Sequence, residues 1–386
     1  MPFPNYRKNN IYELIGCIAD ETVLSSEINL SKTISESSWV RTAILTTIAG
    51  YRFENSIWVN GQAPVSIKKI KKLEQFLSFL VNEKRYHSKT FSFNIKYDDY
   101  YNSLNKPIIS DDILVLSSGG VDSTAGLMHA LDQGKHPIAC WIDYGQPYRE
   151  VEKEAVEAIT NLLSIPLIVG TIDLSKYIRE GESDWKHIFP ARNFLLACAG
   201  MALFSSLVRH REQPASIWMC AQIEDIDTPD KSPRFFQETS SFLGLRVMSP
   251  FVKFNKTDLL AYWRRHWFER YHISPEITIT CYSNSGHCGN CKACLKRAVA
   301  LSVSGWPLDD ELKENPFHDR NGLLKNYYLP RINNFEWKRR MDIMIALSNK
   351  YEQLNSELKK IVDSWRKIET CYMKRRLNEL EEAVFI

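Results

Sequence analysis

The feature that most constrains the fold is a pair of glycines placed between an apolar strand and a helix. Residues 114–124 read Leu-Val-Leu-Ser-Ser-Gly-Gly-Val-Asp-Ser-Thr. Gly119 and Gly120 let the backbone turn tightly with no Cβ in the way, so several N–H groups can point at one anion from the start of the helix. Residues 117–124, called the glycine loop below, are therefore predicted to bind the phosphates of a nucleotide. Hydroxyl donors are added by Ser118, Ser123 and Thr124.

This loop is not the common P-loop, which needs Gly-x-x-x-x-Gly-Lys-Ser/Thr and places a lysine on the terminal phosphates. No such string occurs in the sequence, which excludes most kinases and ordinary ATPases. The loop instead resembles the PP-loop of the ATP pyrophosphatase superfamily, whose Ser-Gly-Gly-x-Asp-Ser signature matches residues 118–123. That resemblance implies that ATP is split between its α and β phosphates and that the substrate becomes an adenylate. The alternative is a serine- and glycine-rich turn that holds no ligand.

Length and charge set wider limits. A chain of 386 residues is too long for one ordinary core, so two domains, or one domain with large additions, are expected. Lys plus Arg number 49 against 46 Asp plus Glu, and this near balance makes nucleic acid an unexpected partner. Because the sequence has neither a run of about 18 apolar residues nor a secretory signal, we expect a cytoplasmic protein without membrane contact.

From residue 111 onward, short apolar runs alternate with helical patterns, which predicts a doubly wound parallel α/β sheet covered by helices. The strands are expected at residues 113–116, 137–144, 166–172, 216–221 and 245–248. The helices are expected at residues 121–131, 150–163, 191–209 and 256–267. Because ligands bind at the carboxyl ends of such strands, the glycine loop, Asp143 and residues 222–227 should meet in one cleft.

The two ends of the chain do not show this alternation of strand and helix patterns. Residues 1–110 predict an added N-terminal α+β or β-rich domain, with strands at 40–51, 56–59 and 90–97 and a helix at 67–83. The alternative is a structural appendage that covers one sheet edge. In residues 301–386, apolar side chains from Ile343 to Tyr372 recur at three- and four-residue steps, which predicts a C-terminal helical extension. That apolar stripe is expected to pack on its own chain; the alternative is a partner helix or a homodimer seam.

Four of the nine cysteines form one cluster in the sequence. The pattern is Cys-x6-Cys-Gly-x-Cys-x-x-Cys over Cys281, Cys288, Cys291 and Cys294, and four thiolates so spaced can close a tetrahedron around Zn2+. We expect a structural zinc segment at residues 276–300 that closes the cleft; an iron–sulfur cluster is the alternative. His287 could replace one cysteine, although a solvated loop histidine is the preferred interpretation. The remaining five cysteines are expected to be buried thiols.

With these motifs placed, residues 112–300 resemble the 7-cyano-7-deazaguanine synthase family, the PP-loop enzymes of the queuosine pathway. The resemblance rests on the glycine loop, the cysteine cluster and five further segments. These are Asp143-Tyr144-Gly145-Gln146, Pro190-Ala191-Arg192-Asn193, residues 227–236, Lys256 in Phe-Asn-Lys-Thr-Asp, and Thr280-Cys281-Tyr282. It implies that ATP activates 7-carboxy-7-deazaguanine for attack by ammonia, giving an amide and then a nitrile, with Mg2+ beside the phosphates. Residues 111–275 would form the PP-loop domain.

Residue roles follow from the resemblance, matched position by position. The nucleotide would be bound by Ser117, Ser118, Gly119, Gly120, Val121, Asp122, Ser123, Thr124 and Asp143. Catalysis would depend on Asp122, Ser123, Arg192 and Lys256. The deazapurine would be bound by Asn193, Gln222, Asp225, Asp227 and Asp230.

The chain also departs from the family's usual pattern. It carries about 110 extra residues before the matched region and about 85 after it, and Cys220-Ala221-Gln222 stands where the family typically has Gly-Val-Asn. Enlarged relatives occur in bacterial anti-phage systems of the Qat and cyclic-oligonucleotide types, and this chain resembles them. That resemblance implies a protein amine as the acceptor. The alternatives are a housekeeping queuosine synthase, a tRNA-modifying PP-loop enzyme with basic patches at 68–72, 264–265 and 374–376, and a non-catalytic nucleotide-binding module.

Overall fold

The computed structural model describes most of the chain from residue 108 onward. The described residues are 27–29, 56–60, 72, 75, 76, 79, 80, 92–95, 108–171, 192–207, 212–225, 228–281, 286–307 and 312–382. The strands are β1 (Glu27–Asn29), β2 (Ser56–Asn60), β3 (Ser92–Ile95), β4 (Ile108–Ile109), β5 (Asp112–Leu116), β6 (His136–Asp143), β7 (Leu167–Thr171), β8 (Glu212–Gln213), β9 (Ser216–Trp218) and β10 (Arg246–Met248). The helices are α1 (Val121–Asp132), α2 (Arg149–Leu163), α3 (Arg192–Leu207), α4 (Pro233–Leu243), α5 (Lys256–Tyr262), α6 (Phe268–Tyr271), α7 (Lys292–Ser304), α8 (Trp337–Asn349) and α9 (Ser356–Glu382).

The central sheet has five strands in the order β10-β9-β5-β6-β7, and every neighbouring pair is parallel. The strand order reverses beside β5, the strand that leads into the glycine loop. In open parallel sheets this reversal leaves a crevice at the carboxyl ends of the two central strands, here β5 and β9. The predicted parallel α/β sheet is thus confirmed, and its switch point lies at the glycine loop.

Helices cover both faces of this sheet. In β5, Val115 points toward α1, where a Cβ at Gly126 would lie 3.6 Å from it, whereas Leu114 and Leu116 approach Gly200 of α3. Neighbouring strand residues point to opposite faces, so α1 and α3 lie on opposite sides. The two glycines allow these helices to approach the sheet closely, so that Leu114 and Val115 are buried and Leu116 is half-buried.

The C-terminal residues continue this architecture. Helix α5 runs through a π-helical turn, Trp263–Trp267, into α6, so the helix predicted to end at residue 267 extends to Tyr271. Helices α7, α8 and α9 share a second apolar core built around residues such as Leu295, Met344 and Leu358. The predicted C-terminal helices are therefore present and pack on their own chain.

The apolar stripe of the C-terminal helices is only partly buried in this core. Ile343, Leu347 and Leu358 are buried, whereas Ile368 and Tyr372 are exposed. Cys371 is exposed as well, so the expectation that every scattered cysteine is buried was wrong there. Cys17 lies outside the described residues. Within the described ranges, no helix has the length and apolar character needed to cross a lipid bilayer.

In the N-terminal region, β1, β2 and β3 pair in parallel as one small sheet. The strand predicted at 40–51 lies outside the described residues, whereas residues 72, 75, 76, 79 and 80 are helical as predicted. Phe76 is buried and packs edge-on against Phe194 of α3, with ring centroids 5.3 Å apart. The guanidinium of Arg234 lies 4.2 Å from the centroid of the Phe79 ring. This helical stretch therefore contacts α3 and α4 beside residues 192 and 193.

Candidate active site at the glycine loop

The glycine loop turns through a backbone conformation that only glycine adopts readily. Gly119 has a φ of +68°, and a Cβ at this position would lie 2.8 Å from the Cβ of Ala155 in α2. Gly120 is the N-cap of α1, and among the described residues no side chain caps that helix end. The backbone N–H groups at the start of α1 are thus arranged as an anion-binding helix terminus.

Hydroxyl groups of the loop satisfy part of its own backbone. The Ser123 and Thr124 hydroxyls donate to the carbonyl oxygen of Gly120, at 3.2 and 2.9 Å. The side chain of Val121 is buried in the main core, so any contact with a ligand has to use its backbone N–H. Ser118 is exposed at the mouth of the loop, and Ser117 is buried beneath it.

Three candidate side chains from distant parts of the sequence meet beside this loop. The Lys256 Nζ donates to Asp122 Oδ1 at 2.8 Å, and Gln222 Nε2 donates to the same oxygen at 2.5 Å. Asp122 comes from the first turn of α1, Gln222 follows β9, and Lys256 is the first residue of α5. These three side chains, called the Asp122 cluster below, therefore lie at the switch point of the sheet.

A second polar group lies on the other side of the glycine loop, after β6. The Asp143 carboxylate accepts from the backbone N–H of Gly145 at 2.8 Å. The Gln146 side-chain oxygen accepts from the N–H of Tyr144 at 2.8 Å. These bonds hold the segment 143–146 as a tight turn, which places Asp143 at the strand end, as the sequence predicted.

Glu152 of α2 supports this turn from behind. It accepts from Gln146 Nε2 at 2.8 Å and from the Trp141 indole N–H at 3.3 Å. Burial raises the pKa of Glu152 to about 7, although these hydrogen bonds and the charge of Arg192 work against the rise. The sequence analysis missed this residue, because a glutamate in the first turn of a charged helix resembles an ordinary surface residue.

Arg192 and Asn193 lie at the start of α3 on this same side. The Arg192 guanidinium donates to the Tyr144 hydroxyl at 3.4 Å, and Asn193 Nδ2 donates to the carbonyl oxygen of Asp230 at 3.2 Å. The charge of Arg192 also acts on Tyr148 and Glu152. Arg192 therefore faces the 143–146 turn, whereas Asn193 faces the loop that follows β9.

That loop is fixed by an ion pair that the sequence analysis did not name. Lys231 Nζ lies 3.2 Å from Asp225 Oδ2. Burial opposes ionisation of Asp225, but Lys231 and Lys296 outweigh it and lower the pKa of this carboxyl. Asp225 also accepts from the backbone N–H of Gln222 at 3.4 Å, so it orients the residue that contacts Asp122. Asp227 lies outside the described residues.

The four clustered cysteines form one compact group of sulfurs. Their Sγ atoms all lie within 4.8 Å of one another, with Cys281 and Cys291 4.0 Å apart and Cys288 and Cys294 3.9 Å apart. A tetrahedron of thiolates about 2.3 Å from Zn2+ has sulfurs about 3.8 Å apart, so the arrangement fits a four-thiolate zinc site. Backbone N–H groups of residues 288 and 294 point at the sulfurs of Cys281 and Cys291.

His287 is not part of this group. Its side chain is buried, and Nε2 lies 3.2 Å from the carbonyl oxygen of Thr278. The interpretation of His287 as a solvated loop residue was therefore wrong, because its ring is buried against the backbone at Thr278. The ring links the cysteine segment to Thr278, which follows the 3-10 turn Pro275–Ile277.

The residues before the first cysteine lie directly on the glycine loop. The N–H of Ile279 donates to the carbonyl oxygen of Gly119 at 2.8 Å. Arg297 of α7 is fully buried and holds this segment, donating to Thr278 Oγ1 and to the carbonyl oxygen of Pro275, both at 2.7 Å. The cysteine group and the glycine loop are thus joined through residues 275–281, and closure of the cleft by this segment stays a prediction.

The basic patches considered for RNA binding are changed by the fold. Arg376, one of the three residues at 374–376, has no exposed surface and is bound by carboxylates. It cannot contact a phosphate backbone, because its side chain points from the last helix toward α5 and is buried there. In the patch at 68–72, only Lys72 lies within the described residues, where it is exposed.

Comparison with known proteins was consistent with this site. The family model described as Queuosine biosynthesis protein QueC matches residues 112–305, just over half of the chain. The matched residues contain the central sheet, the glycine loop, the Asp122 cluster and the four cysteines.

Curated relatives match over the same half of the chain. The 7-cyano-7-deazaguanine synthases of Psychromonas ingrahamii and Pyrococcus abyssi are each 25% identical, over 51% and 49% of this chain and 96% and 91% of their own lengths. The 7-cyano-7-deazaguanine synthase of Sulfolobus acidocaldarius is 25% identical over 50% of this chain, a match that spans 46% of that protein.

Proposed function

The chain belongs to the family of the queuosine biosynthesis protein QueC, and from that premise we propose that it uses ATP to activate the carboxylate of a 7-deazaguanine base. A carboxylate oxygen of 7-carboxy-7-deazaguanine attacks the α-phosphorus of ATP, and the bond to the β-phosphate oxygen breaks, releasing pyrophosphate. An amine then adds to the acyl adenylate, loses a proton and expels AMP to give an amide. The observation that carries this proposal is the meeting of Asp122, Gln222 and Lys256 at the glycine loop.

The glycine loop would hold the departing pyrophosphate. Backbone N–H groups at the start of α1 supply partial positive charge without a protonated side chain, and their geometry is fixed before the ligand arrives. Ser118 and Ser123 add hydroxyl donors beside them. Catalysis of this kind depends on positioning and on stabilising charge that develops on the leaving group.

Lys256 and Asp122 would exchange partners when ATP binds. Among the described residues, the ammonium of Lys256 is paired with the one carboxylate of Asp122, and both side chains retain some exposure to solvent. A polyphosphate carries more negative charge than one carboxylate, so it would draw Lys256 toward the loop. Asp122 then becomes available to Mg2+, which prefers carboxylate and phosphate oxygens and would offset the charge of the polyphosphate.

The substrate would be bound on the side of α3. Arg192 offers a planar guanidinium suited to a carboxylate or a phosphate. Asp225, Asp227 and Asp230 would accept hydrogen bonds from the N–H edge of a guanine-like base, and Asn193 would position that loop through the carbonyl oxygen of Asp230. A zinc ion held by the four cysteines would stabilise the segment on the glycine loop without taking part in the reaction.

The acceptor amine is proposed to belong to a protein, as in the anti-phage relatives that the chain resembles. Support comes from the residues on both sides of the matched region and from Gln222, which stands where the family typically has asparagine and contacts Asp122. The relatives named above are synthases, whose chemistry leads to a nitrile. With ammonia as the acceptor, a second ATP would adenylate the amide oxygen, and loss of AMP and a proton would give that nitrile.

The test is to incubate the purified protein with ATP, Mg2+ and 7-carboxy-7-deazaguanine, with and without ammonia, and to follow AMP and the base by mass spectrometry. AMP with an amide or nitrile would support the synthase reaction. AMP or a trapped adenylate, with no ammonia-derived product, would support another acceptor. If the wild-type protein forms no more AMP than the Lys256→Met variant does, the proposal that this base is the substrate fails.

A further inference from the structure

We propose that Arg376, from the last helix of the chain, is a positioning residue for Lys256. This inference rests on the proposed function of Lys256 in binding ATP. Arg376 lies outside the region that matches the family, and it reaches the backbone turn from which Lys256 extends. The C-terminal extension would then form part of the ATP site instead of only covering the protein.

The position of Lys256 is set by the start of α5. Asn255 is the N-cap, and its side-chain oxygen accepts from the N–H of Asp258 at 3.0 Å. Asp258 returns the interaction by accepting from the N–H of Asn255 at 2.9 Å, which completes a capping box. Lys256 is the first residue inside this box, so the box determines where its side chain starts and whether its ammonium reaches Asp122.

Arg376 holds both members of that capping box. Its Nη1 donates to Asp258 Oδ1 at 2.6 Å, and its Nη2 donates to the Asn255 side-chain oxygen at 3.1 Å. Its Nε donates to Asp342 of α8 at 2.8 Å, and Asp342 in turn accepts from Asn255 Nδ2 at 2.7 Å. Residues 255, 258, 342 and 376 are called the Arg376 cluster below.

The charges of this cluster depend on one another. Asp258 and Asp342 are buried, and Arg376 together with Lys338, which lies 3.0 Å from Asp258, balances them. If the guanidinium were removed, two buried carboxylates would share one ammonium, and at least one of them would have to become protonated or move toward water. Either change would act on the oxygen atoms that hold the capping box, and hence on Lys256.

A second contact from the same extension supports the opposite side of the Asp122 cluster. Glu224, two residues after Gln222, is paired with Arg339 of α8 at 3.6 Å and with Lys296 of α7 at 3.1 Å. Helix α8 thus contributes Arg339, which pairs with Glu224 two residues from Gln222, and Asp342, which accepts from Asn255, the residue before Lys256. Both partners of Asp122 are therefore supported from α8, by independent contacts.

The experiment combines Arg376→Met and Arg376→Lys with Lys256→Met in a double-mutant cycle that measures kcat/KM for ATP. Arg375→Met is the matched control, because Arg375 is the exposed neighbour on the same helix and pairs with Glu379. We expect Arg376→Met to lower kcat/KM at least tenfold and Arg376→Lys to recover part of the loss. In the Lys256→Met background, Arg376→Met should change kcat/KM less than threefold. An equal loss in both backgrounds would overturn the proposal, because Arg376 would then act without Lys256.

A second readout does not need catalysis. The rate at which Lys256 is acetylated by a small reagent is measured by peptide mass spectrometry, with exposed Lys325 as the internal reference. We expect Arg376→Lys to raise the rate at Lys256 at least threefold, with no change in Arg375→Met. An unchanged rate in folded Arg376→Lys would overturn the proposal even if Arg376→Met fails to fold. Absence of AMP formation by the wild-type protein would contradict only the proposed function.

Discussion

The Asp122 cluster and the Arg376 cluster lie on either side of one helical turn, and they differ in their access to water. The Asp122 and Lys256 side chains are 29% and 13% exposed, whereas those of Arg376, Asp258 and Asp342 are 0%, 2% and 3% exposed. The open pair has few partners and faces the glycine loop. The closed cluster has a partner for nearly every donor of the guanidinium. A ligand can therefore displace water from the Asp122 cluster. The Arg376 cluster has no access for a ligand and serves only to fix the positions of its own residues.

This difference shows that similar charged groups can serve activity in one place and stability in another. A charged pair at a cleft is weakly held, because solvent screens it and each group retains other partners. A buried pair contributes little net stability when intact, yet it is costly to break, because the remaining charge has no water to solvate it. Substitutions in the two clusters should thus separate loss of activity from loss of stability.

The largest expected effect, on metal content and on the free energy of unfolding, concerns the four cysteines beside the same loop. Cys291→Ser removes one ligand, so the bound metal should fall from one per chain to near zero, and the free energy of unfolding should fall by about 4–5 kcal/mol. Elemental analysis measures the metal, and unfolding in denaturant measures the stability. Cys371→Ser is the control, because Cys371 is exposed and lies outside the group of four cysteines. Iron in the purified protein, with visible absorbance, would favour a cluster over zinc.

Asp122→Asn should have the next largest effect, on activity. The amide keeps the shape but cannot neutralise Lys256 or bind Mg2+, so kcat/KM for ATP should fall about 10³-fold, equal to about 4 kcal/mol of lost transition-state stabilisation. The free energy of unfolding should change by less than about 1 kcal/mol. Asp111→Asn, at an exposed position before β5, is the control. An active Asp122→Asn enzyme would contradict the assignment of the glycine loop.

Asp342→Asn makes the same chemical change in the closed cluster and should give the opposite pattern. The substitution removes one buried carboxylate that binds Arg376, and the new amide N–H groups can face the donors of Arg376 and Asn255. The free energy of unfolding should therefore fall by about 3 kcal/mol. At a temperature where the variant is folded, kcat/KM should fall less than tenfold. Parallel measurements on Asp122→Asn and Asp342→Asn therefore test the comparison directly, and equal ratios of activity loss to stability loss would refute it.

The last expected effect is a pH dependence of the free energy of unfolding that arises from Glu152. Burial raises its pKa from 4.5 to about 7 in the folded protein. Between these values the folded state binds more protons than the unfolded state, so stability should fall as pH rises from about 4.5 to about 7 and stay level above that. The contribution over the whole interval is about 3 kcal/mol.

Glu152→Gln should remove this component, which unfolding curves at pH 5, 6, 7 and 8 would measure. Glu150→Gln, two residues earlier on the same helix and exposed, should retain the wild-type slope. If Glu152→Gln keeps the slope as well, another group carries it.

The elements predicted best were those set by local sequence. The strand at Asp112–Leu116, the glycine turn and the helix from Val121 were predicted within a residue of their ends, because apolar runs and glycines act over a few positions. Helix α4, by contrast, was missed, although Ser232 caps it and Pro233 begins it. Its start signal lay within a motif that was interpreted only for ligand binding.

The candidate site was predicted as a set of residues but not as a set of contacts. Asp122, Gln222 and Lys256 were each named, yet only their positions in the folded chain bring them to one oxygen atom. Glu152, Lys231, Arg297 and Arg376 were missed as supporting residues. A buried charged residue on an amphipathic helix has the same local pattern as a solvated one, so burial and pairing are set by distant partners.

The sequence by itself determined the parallel sheet, the glycine loop and a four-cysteine site, because strand period, backbone freedom and ligand spacing are properties of short segments. Only the tertiary structure decided that the last helix would reach the first turn of α5 and bury Arg376 there. That contact joins residues 118 positions apart along the chain, from Asp258 to Arg376. Burial strengthens the attraction between these charges but removes their hydration, so the arrangement depends on partners from distant parts of the chain, which no local pattern encodes.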